Sequence, residues 1–170
     1  MREHSIRLRP LQAEETPEIR VMIQEIGPGE NGFVNGLYTD TEEDYQAKLA
    51  ENARIAIGDH LPPGYVRQRI YWLYDGEHPV GYGKLRFSLT DALREHGGHI
   101  GYVIRPSARG KGYGRQMLKE LLLEAEKGGL DRVLLTCNAE NAASRSIIEG
   151  CGGKPEQSAT ASCKYWIELR

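Results

Sequence analysis

Three alternate glycines in the run Arg-Gly-Lys-Gly-Tyr-Gly at 109–114 mark a sharp turn between two regular elements. An apolar stretch with strand character, 98–105, and then Pro106 come before the run, and an amphipathic stretch with helical spacing follows it. Glycines at these positions permit a tight turn and leave the backbone N–H groups uncovered by Cβ atoms. A helix that begins there adds unpaired N–H groups and the positive end of its dipole. The pattern therefore predicts a binding site for a phosphate or pyrophosphate.

Basic side chains lie in and beside this glycine loop, namely Arg105, Arg109, Lys111, Arg115 and Lys119. The last three share one helix face because they are spaced at i, i+4. Two other phosphate motifs do not fit. The sequence contains no G-x-x-x-x-G-K-[ST] string, and Arg115 stands where the dinucleotide motif has its third glycine. A nucleotide-binding domain is therefore disfavoured, and a plain glycine-rich turn is the remaining alternative to the anion site.

Length and composition restrict the number of domains, the classes of partner and the cellular compartment. A chain of 170 residues predicts one domain, 1–170. The net charge of −2 gives no overall electrostatic reason for a nucleic-acid or membrane partner. The N-terminus does not look like a signal peptide, and no stretch has the length of a transmembrane helix. Three cysteines without a C-x-x-C motif predict a reduced, cytoplasmic chain without structural zinc or disulfides.

Hydrophobic patterning predicts an α/β chain. Strands are predicted at 5–11, 68–74, 80–89, 98–105, 132–137 and 160–169, and helices at 16–26, from 40 onward, after the glycine loop and at 141–149. Asp75-Gly76 predicts a hairpin turn, and 30–38 is interpreted as a loop. The strand–helix–strand unit around the glycine loop predicts a parallel pair, whereas strands joined by short turns should be antiparallel. We therefore expect a mixed sheet with helices on both faces.

The stretch 104–114, which reads IRPSARGKGYG, resembles the acyl-CoA motif of the GCN5-related N-acetyltransferase (GNAT) superfamily. Residues 141–152 resemble the second motif of that family, and the segments 63–66, 71–72 and 98–102 are similar to a poorly characterised branch of predicted acetyltransferases. The resemblance is strongest from 99 to 153. It implies a GNAT-like α/β fold with a mixed, mostly antiparallel sheet, one parallel pair around the glycine loop, and helices on both faces.

The same resemblance implies that acetyl-CoA is the cosubstrate and that no metal takes part. In the family the glycine loop holds the pyrophosphate, and the strand before it pairs with the pantetheine amides. The implied CoA-binding residues are Tyr102, Val103, Ile104, Arg109, Gly110, Lys111, Gly112, Tyr113, Gly114, Asn141 and Ser144. Asn141 is equally well interpreted as an ordinary helix cap, and the sequence leaves both interpretations open.

The implied reaction is attack of a primary amine on the acetyl thioester. An alkylammonium group has a pKa of about 10.4 and must lose a proton first, so a base, or a water held by one, is useful. Negative charge that develops on the thioester oxygen needs a hydrogen-bond donor. In the family this donor is a backbone N–H of the strand before the loop, which here is that of Tyr102, Val103 or Ile104.

Two positions depart from the family pattern. His99 stands where many members have a glutamate base, and its unperturbed pKa of about 6.5 makes it a credible substitute. The alternative is a structural, hydrogen-bonded histidine. Ile148 stands where many members have a tyrosine that protonates the leaving thiolate. Tyr165 is the proposed replacement, and simple packing in a strand is its alternative.

The sequence disfavours a metal site and a covalent acetyl-enzyme. His96 and His99 would form a metal pair without a third ligand at a suitable spacing. Cys137 and Cys151 end a strand and a helix, which are not the settings that activate a thiol, so direct transfer in a ternary complex is favoured over an acetyl-enzyme.

The acceptor is expected to be a small amine or a peptide amine. Acidic residues in the region that should cover the acceptor pocket either attract a cationic amine or serve the dipole of a helix N-terminus; they are Glu30, Asp40, Glu42, Glu43 and Asp44. Three aromatic residues, Phe33, Tyr38 and Tyr65, line this pocket or belong to the core. The oligomeric state stays open, with a homodimer as one alternative. A non-catalytic acyl-CoA binding or sensing module is the alternative function.

Overall fold

The computed structural model describes residues 5–156 and 162–169. In chain order its strands are β1 (Ile6–Pro10), β2 (Gly29–Glu30), β3 (Phe33–Val34), β4 (Gln68–Asp75), β5 (His78–Arg86), β6 (Ile100–Ile104), β7 (Arg132–Asn138), β8 (Lys154–Glu156) and β9 (Ser162–Glu168). Its helices are α1 (Pro17–Ile26), α2 (Glu42–Ala56), α3 (Asp91–Glu95), α4 (Tyr113–Lys127) and α5 (Ala142–Gly150), with a 3₁₀ turn at Pro106–Ala108. None of the helices among these residues is long and apolar enough to cross a membrane.

The strands form two main sheets and a small hairpin. One sheet has the order β1-β4-β5-β6 and the other has the order β7-β9-β8. The β4–β5 hairpin confirms the predicted turn, since Asp75 pairs with His78 and Gly76 has a φ of 60°. The antiparallel pairing of the strands that short turns connect is confirmed as well.

The predicted parallel pair around the glycine loop is not confirmed. Every ladder between the described strands is antiparallel. The two sheets meet instead just before β6, where the backbone N–H of His99 donates to the Leu134 carbonyl at 2.8 Å. Because β6 and β7 form no ladder beyond this point, the edge of β6 that faces β7 stays open.

Helices cover both faces of the first sheet, as predicted. Alternate residues of β5 point to opposite faces. Tyr82 packs into a core formed with α1 and α2, where Ile19, Met22 and Leu49 are fully buried. Leu85 packs into a second core that contains Met117 of α4.

The segment interpreted as a loop at 30–38 contains the β2–β3 hairpin, so that interpretation was wrong for residues 30, 33 and 34, which lie in strands. Gly29 has a φ of 123°, and a Cβ atom there would lie 2.0 Å from the Phe33 carbonyl oxygen, so only glycine fits. Strands of two residues are too short to show the alternation on which sequence analysis depends. The three-residue strand β8 was missed for the same reason.

The end of α1 is tied to the segment that leads into the glycine loop. Glu25 at this end binds Arg105, with 2.8 Å between Oε1 and the guanidinium Nη2, and it accepts a 2.8 Å hydrogen bond from the backbone N–H of Ser107. The hydrogen bond from Arg105 is the main cause that lowers the pKa of Glu25 to about 2. These bonds fix the position of the chain between β6 and the loop.

We expect Glu25→Gln to lower the free energy of unfolding by about 1–2 kcal/mol at pH 7, after allowance for solvent screening. A lowered carboxyl pKa stabilises the fold above the ordinary value of 4.5, and this contribution is lost as the pH falls toward about 2. Urea unfolding at several pH values measures the effect, with the exposed Glu126→Gln as the matched control. A difference between variant and wild type that does not shrink in acid would contradict this role.

Candidate active site

A large pocket lies where β6 and β7 fail to pair. Its volume is about 860 Å³. The glycine loop and the first turn of α4 bound one end, α5 and β7 bound one side, and the β2–β3 hairpin bounds the opposite side. The lining includes residues from both faces of the first sheet, so the pocket passes around the open edge of β6.

The glycine loop presents a series of free backbone donors. Gly110 and Gly112 have φ values of 78° and 84°, the left-handed conformation that favours glycine. Among the described residues, no acceptor pairs with the backbone N–H groups of residues 110–115. Gly112 is also the N-cap of α4, and no side chain caps this helix. These backbone groups and the positive end of the helix dipole have the arrangement that an anion cradle requires, and anion binding there stays a prediction.

Arg109 links the loop to the hairpin on the other side of the pocket. Its Nε donates to the Ile104 carbonyl at 3.0 Å, and its guanidinium forms an ion pair with Glu30. Arg115 and Tyr113 also line the pocket, and the Tyr113 hydroxyl donates to the Asp75 carboxylate. Positive charge is thus concentrated at the end of the pocket where the loop lies.

The register of β6 shows which of its backbone groups are free. Bonds from Arg105 N–H to the Val80 carbonyl and from Arg86 N–H to the His99 carbonyl place the odd-numbered residues of β6 in hydrogen-bonded pairs with β5. The N–H groups of Tyr102 and Ile104 therefore point to the open edge and the pocket. The N–H of Val103 points to Tyr82 of β5, so its backbone does not contribute a donor there.

Asn141 and Ser144 both line the pocket at the start of α5. The Asn141 Oδ1 accepts a 3.2 Å hydrogen bond from the Ser144 backbone N–H. The helix-cap interpretation of Asn141 is therefore confirmed, and the cap lies at the pocket wall.

His99 does not lie among the residues that line the pocket. Its side chain is buried, and its Nδ1 accepts a 2.9 Å hydrogen bond from the Leu134 backbone N–H. Burial, together with Arg94, Arg132 and Arg86 nearby, lowers the pKa of His99 to about 4. A neutral imidazole with such a low pKa is a weak base, and its bond to Leu134 holds the two sheets together.

Tyr165 also lies away from the pocket lining. Its hydroxyl donates to Glu149 at 2.8 Å and accepts from the Arg145 Nε at 3.1 Å. The structure therefore does not bring Tyr165 and His99 together with the glycine loop, because both side chains are engaged inside the fold.

Tyr102 is the aromatic residue that the open edge of β6 does bring to the pocket. Its hydroxyl is buried and, among the described residues, makes no hydrogen bond of good geometry. Burial raises the pKa of Tyr102, and the nearby Ser144 side chain opposes this shift. A buried hydroxyl without a firm partner is costly and often has a role in ligand binding or catalysis.

Lys84 and Arg86 line the pocket beside the first half of β6. Neither residue was predicted from the sequence, although a lysine in an otherwise apolar strand was the available signal. Lys84 is 9% exposed, donates to the Val34 carbonyl, and lies 4.7 Å from the centre of the Phe33 ring. Burial is the main cause that lowers the pKa of Lys84 to about 8.

Comparison with known proteins agrees with this geometry. A family model described as the acetyltransferase (GNAT) domain matches residues 5–154. The chain belongs to the GNAT acetyltransferase family. No curated protein sequence matches the chain.

Solved structures share the GNAT fold at low sequence identity. RimL, a ribosomal L7/L12 alpha-N-protein acetyltransferase in complex with coenzyme A, has a TM-score of 0.71 and 16% identity, covering 96% of this chain and 93% of its own. For yncA from Salmonella typhimurium with acetyl-CoA, the TM-score is 0.62 and the identity 17%, with coverages of 97% and 94%. An N-acetyltransferase from Staphylococcus aureus Mu50 has a TM-score of 0.64 and 17% identity, with coverages of 98% and 99%. At these identities the likeness shows the fold alone.

Cys137 is the one of the two candidate cysteines that lines the pocket of this GNAT domain. Burial raises the pKa of its thiol, with Cys163 as a further cause, so the thiolate is disfavoured at neutral pH. His96 also lines the pocket, but no group of three or more His, Cys, Asp or Glu side chains within 5–156 and 162–169 is arranged to hold a metal ion.

The acidic residues proposed near the acceptor mostly serve α2. Glu42, Glu43 and Asp44 form its first turn, and the Asp44 N–H binds the Thr41 cap. Of the five acidic residues, Glu30 lines the pocket, where it is paired with Arg109. Phe33 lines the pocket too, whereas Tyr38 and Tyr65 do not belong to its lining and are exposed.

Proposed function

We propose that this GNAT domain transfers the acetyl group of acetyl-CoA to a primary amine by direct attack in a ternary complex. One observation carries the proposal: the unpaired N–H groups of residues 110–115 lie at the end of β6, whose open edge runs along the same pocket. The first feature suits a pyrophosphate and the second suits the amides of a pantetheine arm. RimL and yncA, which share the fold, are described with coenzyme A and acetyl-CoA.

In the proposed complex, the pyrophosphate binds the loop and the pantetheine arm extends along β6 toward Gly101. The N–H groups of Tyr102 and Ile104 are the candidates for pairing with this arm and for binding the thioester oxygen. The amine nitrogen attacks the carbonyl carbon, and the C–S bond then breaks. The amine proton leaves to a water molecule in the pocket, and CoA departs as a thiolate that takes up a proton.

We infer that His99 positions the β6–β7 junction and does not act as the base. His99→Asn keeps an acceptor for the Leu134 N–H, so we expect turnover within about 3-fold of wild type and an unchanged profile between pH 6 and 9. His99→Ala leaves that buried N–H unpaired and should cost about 1–3 kcal/mol of stability. Steady-state kinetics and thermal unfolding of both variants test this role. A loss of turnover in His99→Asn with a shifted pH profile would restore His99 as the base.

Tyr102 is the proposed proton donor to the leaving thiolate. Ile148 at the pocket wall has no proton to give, and the Tyr165 hydroxyl is engaged with Glu149. We expect Tyr102→Phe to lower kcat about 10-fold. This loss is smaller than the roughly 100-fold or greater contribution typical of a general acid, because a thiolate is a good leaving group that needs little help from a proton. The variant's affinity for acetyl-CoA should stay within about 2-fold, and Tyr165→Phe is the control. Unchanged kcat in Tyr102→Phe would exclude this role.

Release of the free CoA thiol, measured with a panel of primary amines and peptides with free N-termini, tests the function as a whole. Turnover that requires both acetyl-CoA and one class of amine is expected. Tight binding of acetyl-CoA without turnover on any amine would favour the acyl-CoA binding or sensing module.

A further inference from the structure

Lys84 and Arg86 form a pair of cations on one face of β5. They are two residues apart, so both side chains point toward the face covered by α1 and α2. Lys84 is opposite Gly101 in the register, and both cations line the pocket. Two positive charges therefore lie side by side next to the first half of β6.

No carboxylate balances this pair among the described residues. Neither cation takes part in an ion pair, and the partners of both are carbonyl oxygens and aromatic rings. The Arg86 Nη1 donates to the Gly98 carbonyl at 3.2 Å. Burial lowers the pKa values of both side chains, and Arg86 further lowers that of Lys84. Buried charges are normally paired, so the buried Lys84 and the half-buried Arg86, which face a cavity without a counter-ion from the described residues, point to an anionic ligand.

The pair lies too far from the glycine loop to share its anion. The loop follows Ile104 at one end of β6, whereas Lys84 is opposite Gly101. Three residues of an extended strand span about 10 Å. The pocket therefore has two separate positive regions, one for the pyrophosphate and one near the end where the acyl group would be transferred.

We propose that Lys84 and Arg86 bind a carboxylate of the substrate next to the reacting thioester. The carboxylate belongs either to the acceptor, as in an amino acid, or to the acyl group of a dicarboxylic acyl-CoA. This inference rests on the proposed acyltransferase function and deepens it, because it replaces an unspecified amine with a substrate class. A guanidinium and an ammonium are the usual partners of a carboxylate.

Pairs of substrates, one with a carboxylate and one without it, provide the test. Thiol release is measured with each α-amino acid and its carboxamide, using acetyl-CoA. A second arm uses succinyl-CoA and butyryl-CoA with a neutral amine. Wild type should prefer the carboxylate member of one arm by about 100-fold in kcat/KM, which corresponds to about 2.8 kcal/mol at about 1.4 kcal/mol per factor of ten.

Substitutions of Lys84 and Arg86 test whether these two cations cause the preference for the carboxylate substrate. Lys84→Met should reduce this preference to below about 10-fold, because kcat/KM falls for the carboxylate substrate and not for its uncharged counterpart. Lys84→Arg keeps the charge and should retain most of the preference. If Lys84 were instead the base for the amine, Lys84→Met would slow carboxylate and carboxamide acceptors equally. That equal loss would overturn the inference. Arg86→Gln should weaken the preference in the same direction.

Failure of the inference is distinguishable from failure of the proposed function. Acetyl-CoA titration of each variant serves as the folding control, because the pyrophosphate region is unchanged. Equal turnover of the carboxylate substrate and its uncharged counterpart in both arms would overturn the carboxylate site and leave the acetyltransferase function standing. Absence of any acyl transfer would overturn the proposed function, and the carboxylate site with it.

Discussion

Gly112→Asp is expected to lower the affinity for acetyl-CoA by about 100-fold or more. Gly112 is the N-cap of α4 with a φ of 84°, in the middle of the unpaired N–H groups of residues 110–115. Among the residues that the structure describes, no neighbouring atom lies within 4 Å of a Cβ atom built there, so the side chain has room. The carboxylate would occupy the cradle, bind its N–H groups and repel the pyrophosphate.

Gly112→Asn is the matched control for this substitution. Asparagine has nearly the same shape as aspartate and tolerates a positive φ better than most residues, but it carries no charge. We expect it to lose less than about 10-fold in affinity, as measured by titration calorimetry. Equal losses in both variants would mean that backbone strain, and not the charge, disturbs the site. Wild-type affinity in Gly112→Asp would remove the glycine loop from the binding site.

Lys84→Met is expected to make the protein more stable while it impairs the use of a carboxylate substrate. The pKa of Lys84 is about 8, well below its ordinary 10.5, so the folded state holds this charge at a cost. At about 1.4 kcal/mol per pKa unit, methionine should raise the free energy of unfolding by up to about 3.5 kcal/mol at pH 7. The midpoint of thermal unfolding should rise by several degrees.

The pH dependence of this gain follows from the direction of the shift. Below about pH 8 the lysine is charged in both states, and the full penalty applies to the wild type. Between about 8 and 10.5 the folded protein has lost the proton that the unfolded chain keeps, so wild-type stability recovers relative to the variant. Urea unfolding at pH 7 and pH 10 measures the difference, with the exposed Lys119→Met as control. A destabilised Lys84→Met at pH 7 would show that the charge is balanced in the fold.

The strong local signals in the sequence led to correct predictions. The glycine loop, the β4–β5 hairpin and the amphipathic helix α4 each depend on residues that are adjacent in the chain. The resemblance of 104–114 to the family motif predicted the GNAT family, which the family match confirms. The backbone cradle at 110–115 has the form that three alternate glycines predict.

The catalytic candidates were harder to place because their roles depend on contacts between distant segments. Alternation along β6 did not show that the His99 ring would bind Leu134, which is 35 residues away in sequence. The Tyr165 hydroxyl is engaged by α5 through Glu149, a contact that no local pattern predicts. The missing β6–β7 ladder, which opens the pocket, likewise depends on how the two sheets meet.

The cation pair of Lys84 and Arg86 could not be predicted from the sequence either. Lys84 stands in a strand with buried neighbours, and isolated charged residues in such strands usually extend to solvent. Only the fold shows that Lys84 and Arg86 turn toward a pocket in which no carboxylate of the described residues forms an ion pair with them. Three of the acidic residues that suggested a cationic acceptor, Glu42, Glu43 and Asp44, lie in the first turn of α2 behind the Thr41 cap.

Titration of the purified protein with acetyl-CoA, and separately with ATP, tests the acetyl-CoA site most directly. We predict that acetyl-CoA binds with 1:1 stoichiometry, that ATP does not bind at comparable concentrations, and that Gly112→Asp abolishes the acetyl-CoA signal while Gly112→Asn retains it. Absence of acetyl-CoA binding to the wild-type protein, or equal binding of ATP, would contradict the assignment of the glycine loop to the CoA pyrophosphate.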